Sequence, residues 1–359
     1  MALDSIQLIQ SLSNANGCCG FEDEVAELGR QAAAPFCSRV QEDHLRNLYL
    51  HRAQNNGRRP VVMLDAHSDE VGFLLQAIHE NGTIQFLPLG GWSANTLSAQ
   101  KVRVRNADGV YLPGIVAAMP VHFMTPAQRQ AGVTDISSLV IDVGATSRQE
   151  AVEVYHIRIG EPIVPDVAFS YDPRSQVMLG KALDNRLGCA CVVETLAALS
   201  GEELAVDVVG TFTSQEEIGE RGAFVARETV RPQVAICFEG CPADDTFAPD
   251  YLIQTAMKKG PMLRHFDCSM ITNPRFQRFA LDLAARKGIP VQESVRSGGG
   301  TNGGPIHLSG QGVPVIVIGV PVRYIHSHHG FAALPDYQHA VQLAAEVVRA
   351  LNEGIIEGF

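Results

Sequence analysis

The sequence predicts an α/β protein that is interrupted by a small β-rich insert. Continuously apolar runs, typical of buried strands, alternate with amphipathic helical patterns in residues 1–70 and again in 170–359. Between them, residues 71–169 carry short β-type runs separated by Asn-Gly, Gly-Gly and similar turn signals, without a long helical pattern. We therefore predict one α/β domain in two parts, 1–70 and 170–359, with residues 71–169 as an inserted domain.

Length, composition and charge limit the classes of protein to which the chain can belong. Its 359 residues are 46% hydrophobic, enough for a large core, and the formal net charge is -11. The densest basic cluster surrounds Arg58 and Arg59, in what we interpret as a hairpin turn, so nucleic acid is not expected as a partner. The longest apolar run, residues 313–322, is too short to span a bilayer. We expect a cytoplasmic protein with no membrane partner.

The first part of the α/β domain ends in a candidate site. Residues 3–14 and 21–34 show helical periodicity and are predicted to pack on a sheet. The apolar strand that follows them ends at His67 and Asp69. In open α/β sheets, ligands bind beyond the carboxyl ends of the strands, so polar side chains at this position indicate a binding site.

Two adjacent carboxylates follow a β-branched run that ends near residue 213. Neighbouring residues of an extended segment point to opposite sides, so Glu216 and Glu217 are expected to have different tasks. One could bind a metal ion while the other handles protons. The alternative is a solvated helix N-terminus with Ser214 as its N-cap.

Other strand ends of the second part carry similar side chains. Asp184 follows a strand-like run and begins a helix, and Glu239 ends the next apolar run. Residues 297–304 form a glycine cluster whose backbone can approach a ligand closely. The final predicted strand ends at His326, and a helix over residues 336–352 closes the domain.

Collected by position, these imidazoles and carboxylates suit two divalent metal ions. Such a pair needs one bridging carboxylate, and each ion needs a neutral histidine and a further carboxylate. A free carboxylate nearby could take a proton from a water molecule and pass it to a leaving amine, which is amide hydrolysis. The candidate residues are His67, Asp69, Asp184, Glu216, Glu217, Glu239 and His326.

Several motifs resemble those of a known family when they are taken together and in order. They are AHSDEVGF, LGGW, LVIDVGATSRQEA, LGKALDNRLG, TSQEEIGERGA and the segment from GGGTNGG to YIHS. The chain resembles the dinuclear metallo-aminopeptidases that include glutamyl aminopeptidase and the tetrahedral aminopeptidases, which are often misannotated as endoglucanases. The resemblance implies a mixed-sheet, zinc-exopeptidase-like catalytic domain with helices on both faces, and an inserted small β-barrel-like domain.

The resemblance also implies a role for each candidate residue. Asp184 would bridge two divalent ions, zinc or cobalt. His67 and Glu217 would complete one site, and Glu239 and His326 the other.

Two further residues would act without binding metal. Glu216 would be the general base, and Asp69 would hold His67 in the tautomer that can ligate. Related two-metal peptidases have a cis peptide bond after the bridging aspartate, so the Asp184–Asn185 bond is expected to be cis.

The activity implied by the resemblance is removal of N-terminal residues from short peptides. The family forms dimers that assemble into a dodecamer, and the inserted domain would serve this assembly. In this chain, the long connection over residues 120–135 offers contact surface for it.

The chain departs from the family pattern at two places. Glu239 stands where the family usually has Asp, which lengthens the reach by roughly 1.5 Å. In related two-zinc peptidases, glutamate here tends to accompany deacylase or carboxypeptidase activity, which is therefore the alternative function; a glycosidase and a catalytically silent scaffold are alternatives of another class. His328 and His329 replace the usual residues after His326 and are expected to be exposed loop residues.

Overall fold

The computed structural model describes residues 3–131 and 135–359, and its secondary structure alternates as the sequence predicts. The strands are β1 Cys37–Glu42, β2 Leu48–Arg52, β3 Val61–His67, β4 Gly72–Ile78, β5 Ile84–Leu89, β6 Lys101–Arg105, β7 Tyr111–Val116, β8 Ile141–Asp142, β9 Pro162–Pro165, β10 Ser170–Asp172, β11 Val177–Gly180, β12 Asp207–Thr213, β13 Val234–Pro242, β14 Met262–Phe266, β15 Gln292–Val295, β16 Val315–Arg323 and β17 Gly330–Ala333. The α-helices are α1 Ser5–Asn14, α2 Asp23–Ala33, α3 Pro126–Ala131, α4 Arg148–Glu153, α5 Leu183–Ala198, α6 Arg221–Val230, α7 Pro274–Lys287, α8 Gly303–His307, α9 Leu334–Ala350 and α10 Glu353–Glu357.

A large mixed sheet forms the centre of the α/β domain. Its strand order is β1-β2-β12-β3-β13-β16-β17-β11-β10, with β14 paired to β16 and β15 paired to β14. The central strands β12, β3, β13 and β16 run parallel, while β1, β2 and the strands beyond β16 add antiparallel pairs. The carboxyl ends of the four central strands therefore meet at one edge of the sheet.

Helices cover both faces of this sheet, which explains why its central strands are apolar without alternation. Leu64 of β3 and Ile236 of β13 belong to a core that includes residues of α5, α7 and α9. Their chain neighbours Met63 and Ala235 face the other way, toward residues of α6 and α8. Successive side chains thus point to opposite faces of the sheet, and an apolar layer of helices covers each face. This is the architecture that the resemblance implies.

The β-rich segment closes into a barrel with strand order β4-β5-β8-β7-β6-β9. Its separate core contains Phe73 and Phe86, whose rings meet edge to face with centroids 4.8 Å apart. The ring of Trp92, in the loop after β5, stacks on Phe73 at 4.8 Å. The inserted β-barrel that the resemblance implies is present, and the loop after β5 lies against the core of the barrel.

Three expectations about single elements are wrong. The segment around Arg58 and Arg59 is not a hairpin turn, because β12 lies between β2 and β3; the connection is long enough to cross a strand, whereas hairpin loops have about 2 to 5 residues. Glu239 lies inside β13, since the strand continues to pair with β16 as far as Pro242. The strand that ends at Arg323 is not the last, because β17 follows it and pairs with it.

The connection over residues 120–135 is described only in part, because residues 132–134 lie outside the described ranges. Within the described ranges, no helix combines the length and the apolar character that crossing a lipid bilayer requires.

Candidate metal centre

The side chains predicted for the metal centre converge at the carboxyl edge of the parallel strands. β3 ends at His67, and the loops after β12 and β16 carry the two glutamates and the second histidine. The helix α5 begins beside the same edge. The residues that meet there are His67, Asp69, Asp184, Glu216, Glu217, Glu239 and His326.

His67 is buried and meets a carboxylate at each ring nitrogen. Its Nε2 lies 3.2 Å from Asp184 Oδ1 and 3.2 Å from Glu239 Oε1. Its Nδ1 lies 3.3 Å from the backbone oxygen of Asp69 and 3.4 Å from Asp69 Oδ1. An Nδ1–H that donates to Asp69 leaves the Nε2 lone pair directed at the other carboxylates, which is the tautomer that a metal ligand requires.

His326 has an equivalent arrangement on the opposite side of Asp184. Its Nε2 lies 3.4 Å from Asp184 Oδ2 and 3.6 Å from Glu217 Oε2, and its Nδ1 donates to the backbone oxygen of Gly91 at 3.0 Å. Gly91 belongs to the loop after β5, so the barrel helps to orient this ring. Sequence reasoning did not single out Gly91, although the motif LGGW contains it.

The contacts favour a different grouping of the ligands from the one that the resemblance implied. One ligand atom each from His67, Asp184 and Glu217 lie within 4.8 Å of one another, as the implied grouping requires. The shorter contacts, however, join His67 to Glu239 and His326 to Glu217. The physical reason is strand order: β13 pairs directly with β3, which brings Glu239 beside His67.

Asp69 is fully buried and joins several parts of the centre. Its Oδ1 accepts from the backbone N–H of Glu216 at 2.9 Å, and its Oδ2 accepts from that of Glu217 at 3.1 Å. The thiol of Cys19 donates to the same Oδ2, with Sγ at 3.1 Å. Cys19 was missed by sequence reasoning, because its partner lies fifty residues away and no local pattern links them.

We predict that Asp69→Asn weakens metal binding without unfolding the chain. An amide in this position presents an N–H₂ group to a backbone N–H donor and loses one acceptor, so the ring of His67 and the loop of the two glutamates are less well oriented. Loss of such a supporting carboxylate typically costs about 10- to 100-fold in metal affinity. Titration of the metal-free variant with Zn²⁺ measures this loss, and an affinity equal to that of the wild type would contradict the role of Asp69.

The two adjacent glutamates differ in surroundings, although the segment that carries them is a turn and not the extended chain that the sequence predicted. The Glu217 side chain is 4% exposed and close to His326, whereas that of Glu216 is 13% exposed and has its Oε2 4.0 Å from His67 Nε2. Both line a cavity of about 790 Å³ together with Asp184. Ser214 does not cap a helix: its hydroxyl donates to the backbone oxygen of Leu45, and α6 begins only at Arg221.

Crowding of carboxylates in a buried site perturbs their protonation. Burial, together with the charge of Asp184, raises the pKa of Glu217 to about 8 and that of Glu239 to about 7. Burial and the charges of Glu239 and Glu217 raise the pKa of Glu216 well above its usual range. Burial opposes protonation of His326, but its contacts with Asp184 and Glu217 outweigh this and raise its pKa to about 9. These shifts follow because the group contains more carboxylates than its two imidazoles can neutralise.

The donor set fits divalent metal ions. Two histidines and three carboxylates, linked through contacts of 3.2 to 3.6 Å, are the side chains that zinc and similar ions prefer. Glu217 Oε1 is also buried without a hydrogen-bond partner among the described residues. A buried acceptor without a donor is costly, and a cation bound between the carboxylates would satisfy it.

The backbone around Asp184 also matches expectation. The Asp184–Asn185 peptide bond is cis, as the resemblance implied. The Asn185 side chain donates to the backbone oxygen of Phe238 at 2.8 Å and accepts from the backbone N–H of Gly188 at 3.0 Å. A Cβ atom at Gly240 would lie 2.7 Å from the Cα of Asp184, so β13 can approach this aspartate only with glycine there.

The expectation that the residues after His326 are exposed is wrong for one of them. His328 is 1% exposed, and its ring packs on Trp92 of the barrel loop at a centroid distance of 5.4 Å. Burial, with the neighbouring charge of His329, lowers the pKa of His328 to about 4. His329 is exposed, as expected. His328 and His329 differ in exposure because Trp92 of the inserted domain covers the loop at His328. No local sequence pattern reveals this contact.

Comparison with known proteins gives consistent results for sequence and structure. The family model for M42 glutamyl aminopeptidase matches residues 47–343. Glutamyl aminopeptidase of Lactococcus lactis is 30% identical over 344 residues, which cover 96% of each chain. The TET aminopeptidase of a marine sediment Thaumarchaeota archaeon superposes with a TM-score of 0.94 at 36% identity over 99% of both chains. TET1 peptidase of Pyrococcus horikoshii superposes with a TM-score of 0.85 at 26% identity, covering 97% of this chain and 100% of its own.

Proposed function

The chain belongs to the M42 glutamyl aminopeptidase family, and from this premise we propose that it removes N-terminal residues from short peptides at a centre of two divalent metal ions. Membership makes the chain a hydrolase and a metallopeptidase. The observation that carries the two-ion proposal is the position of Asp184, which directs one carboxylate oxygen toward His67 and the other toward His326. A carboxylate shared in this way is what two neighbouring ions need.

We assign the ligands from the shorter contacts. Asp184 would be shared, His67 and Glu239 would complete one ion's ligands, and His326 and Glu217 the other's. Zinc or cobalt suits this mixture of imidazole and carboxylate donors. Bound there, the ions would polarise the carbonyl of the scissile amide and lower the pKa of a water molecule.

Glu216 is the residue that would move the proton. Its carboxylate lines the cavity and lies farther from the imidazoles than the proposed ligands do. The raised pKa of this buried carboxylate makes it a stronger base toward the attacking water. The protonated carboxyl group would then donate that proton to the amine nitrogen as the amide bond breaks.

The proposal is tested by a panel of substrates assayed with zinc or cobalt. Peptides with a free α-amine should be cleaved at the first bond, and the same peptides with an acetylated N-terminus should be inert. Faster cleavage of N-acyl substrates or release of C-terminal residues would instead favour the deacylase or carboxypeptidase alternative. Hydrolysis of a glycan that persists after chelation would favour a glycosidase, and absence of all turnover a silent scaffold.

We also propose that the chain forms dimers that assemble into a dodecamer. TET1 peptidase of Pyrococcus horikoshii can assemble into a tetrahedron or a large octahedral shell. In this chain, Val121 and Phe123 of the connection after β7 are 58% and 77% exposed, and apolar side chains this exposed favour contact with another subunit.

Light scattering is expected to give a mass close to twelve subunits, because closed symmetric assembly would bury this apolar surface. Replacing Phe123 with serine should shift the mass toward smaller species, while the same replacement of the buried Phe86 would report only on folding of the barrel. A monomer mass across a wide concentration range would contradict the proposal.

A further inference from the structure

Three charged side chains line the cavity beside the metal centre without belonging to it. They are Glu220, Arg264 and Arg296. The cavity has room for a substrate side chain, and its unbalanced charge decides which side chain is favoured. The partners of the three residues therefore bear on substrate choice.

Both arginines are already neutralised by neighbouring carboxylates. Arg264 is buried, with its Nη1 3.0 Å from Asp267 Oδ2, and its Nη2 donates to the sulfur of Cys241. Arg296 donates from Nη2 to Asp244 Oδ2 at 2.8 Å and from Nη1 to the backbone oxygen of Pro242 at 3.0 Å. An acidic substrate side chain would have to compete with these bonds.

Glu220, in contrast, is not paired with a cation in the part of the chain that the structure describes. Among residues 3–131 and 135–359, no lysine, arginine or histidine nitrogen lies within 4.0 Å of its carboxylate. Burial, with the charge of Asp267, raises the pKa of Glu220 to about 7, in keeping with a half-buried carboxylate that lacks a positive partner.

A single backbone turn from Glu216 to Glu220 places Glu220 next to the metal centre. Its N–H donates to the backbone oxygen of Glu216 at 2.8 Å, so the two side chains leave the same tight loop. Neither His67 nor His326 is within 4.0 Å of the Glu220 carboxylate, so it adjoins the centre without joining it.

The glycine cluster over residues 297–304 lies against the carboxylate of Glu220. A Cβ atom at Gly300 would lie 2.6 Å from Glu220 Oε1, and one at Gly304 would lie 3.3 Å from Oε2. Glycine at these positions therefore leaves the space that the carboxylate occupies. This contact accounts for part of a motif that the metal centre does not use.

We propose that Glu220 determines substrate specificity by binding the side-chain cation of an N-terminal lysine or arginine. The inference rests on the proposed aminopeptidase function and names the substrate class of that same site. A lysine ammonium group extends about 6 Å from its Cα, far enough to leave the reacting centre and meet a carboxylate one backbone turn away. The formal net charge of -11 also favours approach of cationic peptides.

The α-ammonium group of the substrate is a less suitable partner for Glu220. That nitrogen is two bonds from the carbon under attack, so in any productive complex it must lie among the residues of the centre. Glu220 instead lies beside Gly300 and Gly304, which are not among the proposed metal ligands. The side chain, which differs between substrates, is the group that extends toward this carboxylate.

The test compares aminoacyl p-nitroanilides of lysine, arginine, leucine and glutamate on the metal-loaded enzyme. The wild type should have a higher kcat/KM for the two basic substrates than for leucine, and the lowest value for glutamate. Glu220→Gln should lower kcat/KM for lysine by about 10- to 100-fold, as loss of a hydrogen-bonded charge predicts, while leucine changes less than threefold. Glu220→Lys should raise the relative value for glutamate.

A matched control removes the charge of a different glutamate, one that lies outside the cavity. Glu228 lies on α6 with a 64% exposed side chain, so Glu228→Gln should leave the lysine-to-leucine ratio unchanged. The leucine substrate also reports whether each variant is folded and metal-loaded.

Two results would overturn the inference while the proposed function stands. One is a wild type that cleaves leucine or glutamate substrates faster than lysine; the other is an equal loss for lysine and leucine in Glu220→Gln, which would indicate a contact with the α-ammonium group. If no free-amine substrate is cleaved at all by the metal-loaded wild type, the proposed aminopeptidase function itself fails.

Discussion

Glu216→Gln is expected to lower kcat by about two to four orders of magnitude, the usual contribution of a general base. An amide of nearly the same shape fits the position but cannot accept a proton from water. Because Glu216 is not assigned as a ligand, metal content and thermal stability should stay close to those of the wild type. Steady-state kinetics on a leucine substrate, with metal analysis of the same sample, measures both effects.

The neighbouring glutamate provides the matched control. Glu217→Gln makes the same chemical change one residue away, at a carboxylate that contacts His326 and contains a buried oxygen without a donor among the described residues. This variant should lose metal, and its activity should recover partly when excess metal is added. The reverse pattern, with metal lost from Glu216→Gln and retained by Glu217→Gln, would show that the two roles are exchanged.

Asp184→Asn is expected to remove metal binding at both positions and to reduce hydrolysis to the background rate. The reason is that Asp184 is the residue whose two oxygens face both imidazoles, so its replacement affects each proposed ion. A bound ligand stabilises the folded state by about 2.7 kcal/mol when its free concentration is 100 times Kd. Chelation should therefore lower the Tm of the wild type and leave that of Asp184→Asn almost unchanged.

Glu239→Gln is expected to remove one of the two proposed ions and to leave the other bound. Glu239 contacts His67, and His326 is paired with Glu217 instead, so this variant should retain about one ion per subunit under conditions in which the wild type binds two. Metal analysis after dialysis measures the stoichiometry. Retention of two ions by Asp184→Asn, or loss of both by Glu239→Gln, would contradict the bridging assignment.

Much of the fold follows from local patterns. A buried parallel strand needs apolar side chains on both faces, and the segments that became β3, β12, β13 and β16 show this in the sequence alone. Polar residues at the ends of such strands indicate a site, because parallel strands end at one edge of a sheet. His67, Glu216 and Glu217 were identified in this way, and the combination of imidazoles and carboxylates indicated metal chemistry.

What the sequence alone determined about this protein is which segments are strands and helices and which side chains lie at strand ends, because both depend on neighbours along the chain. Only the tertiary structure decided which of those side chains meet. Strand order brings Glu239 beside His67, a barrel loop covers His328, and Cys19 donates to Asp69 across fifty residues. The charge available to a substrate is decided in the same way. Chain packing pairs Arg264 and Arg296 with carboxylates and leaves Glu220 without a cationic partner among the described residues.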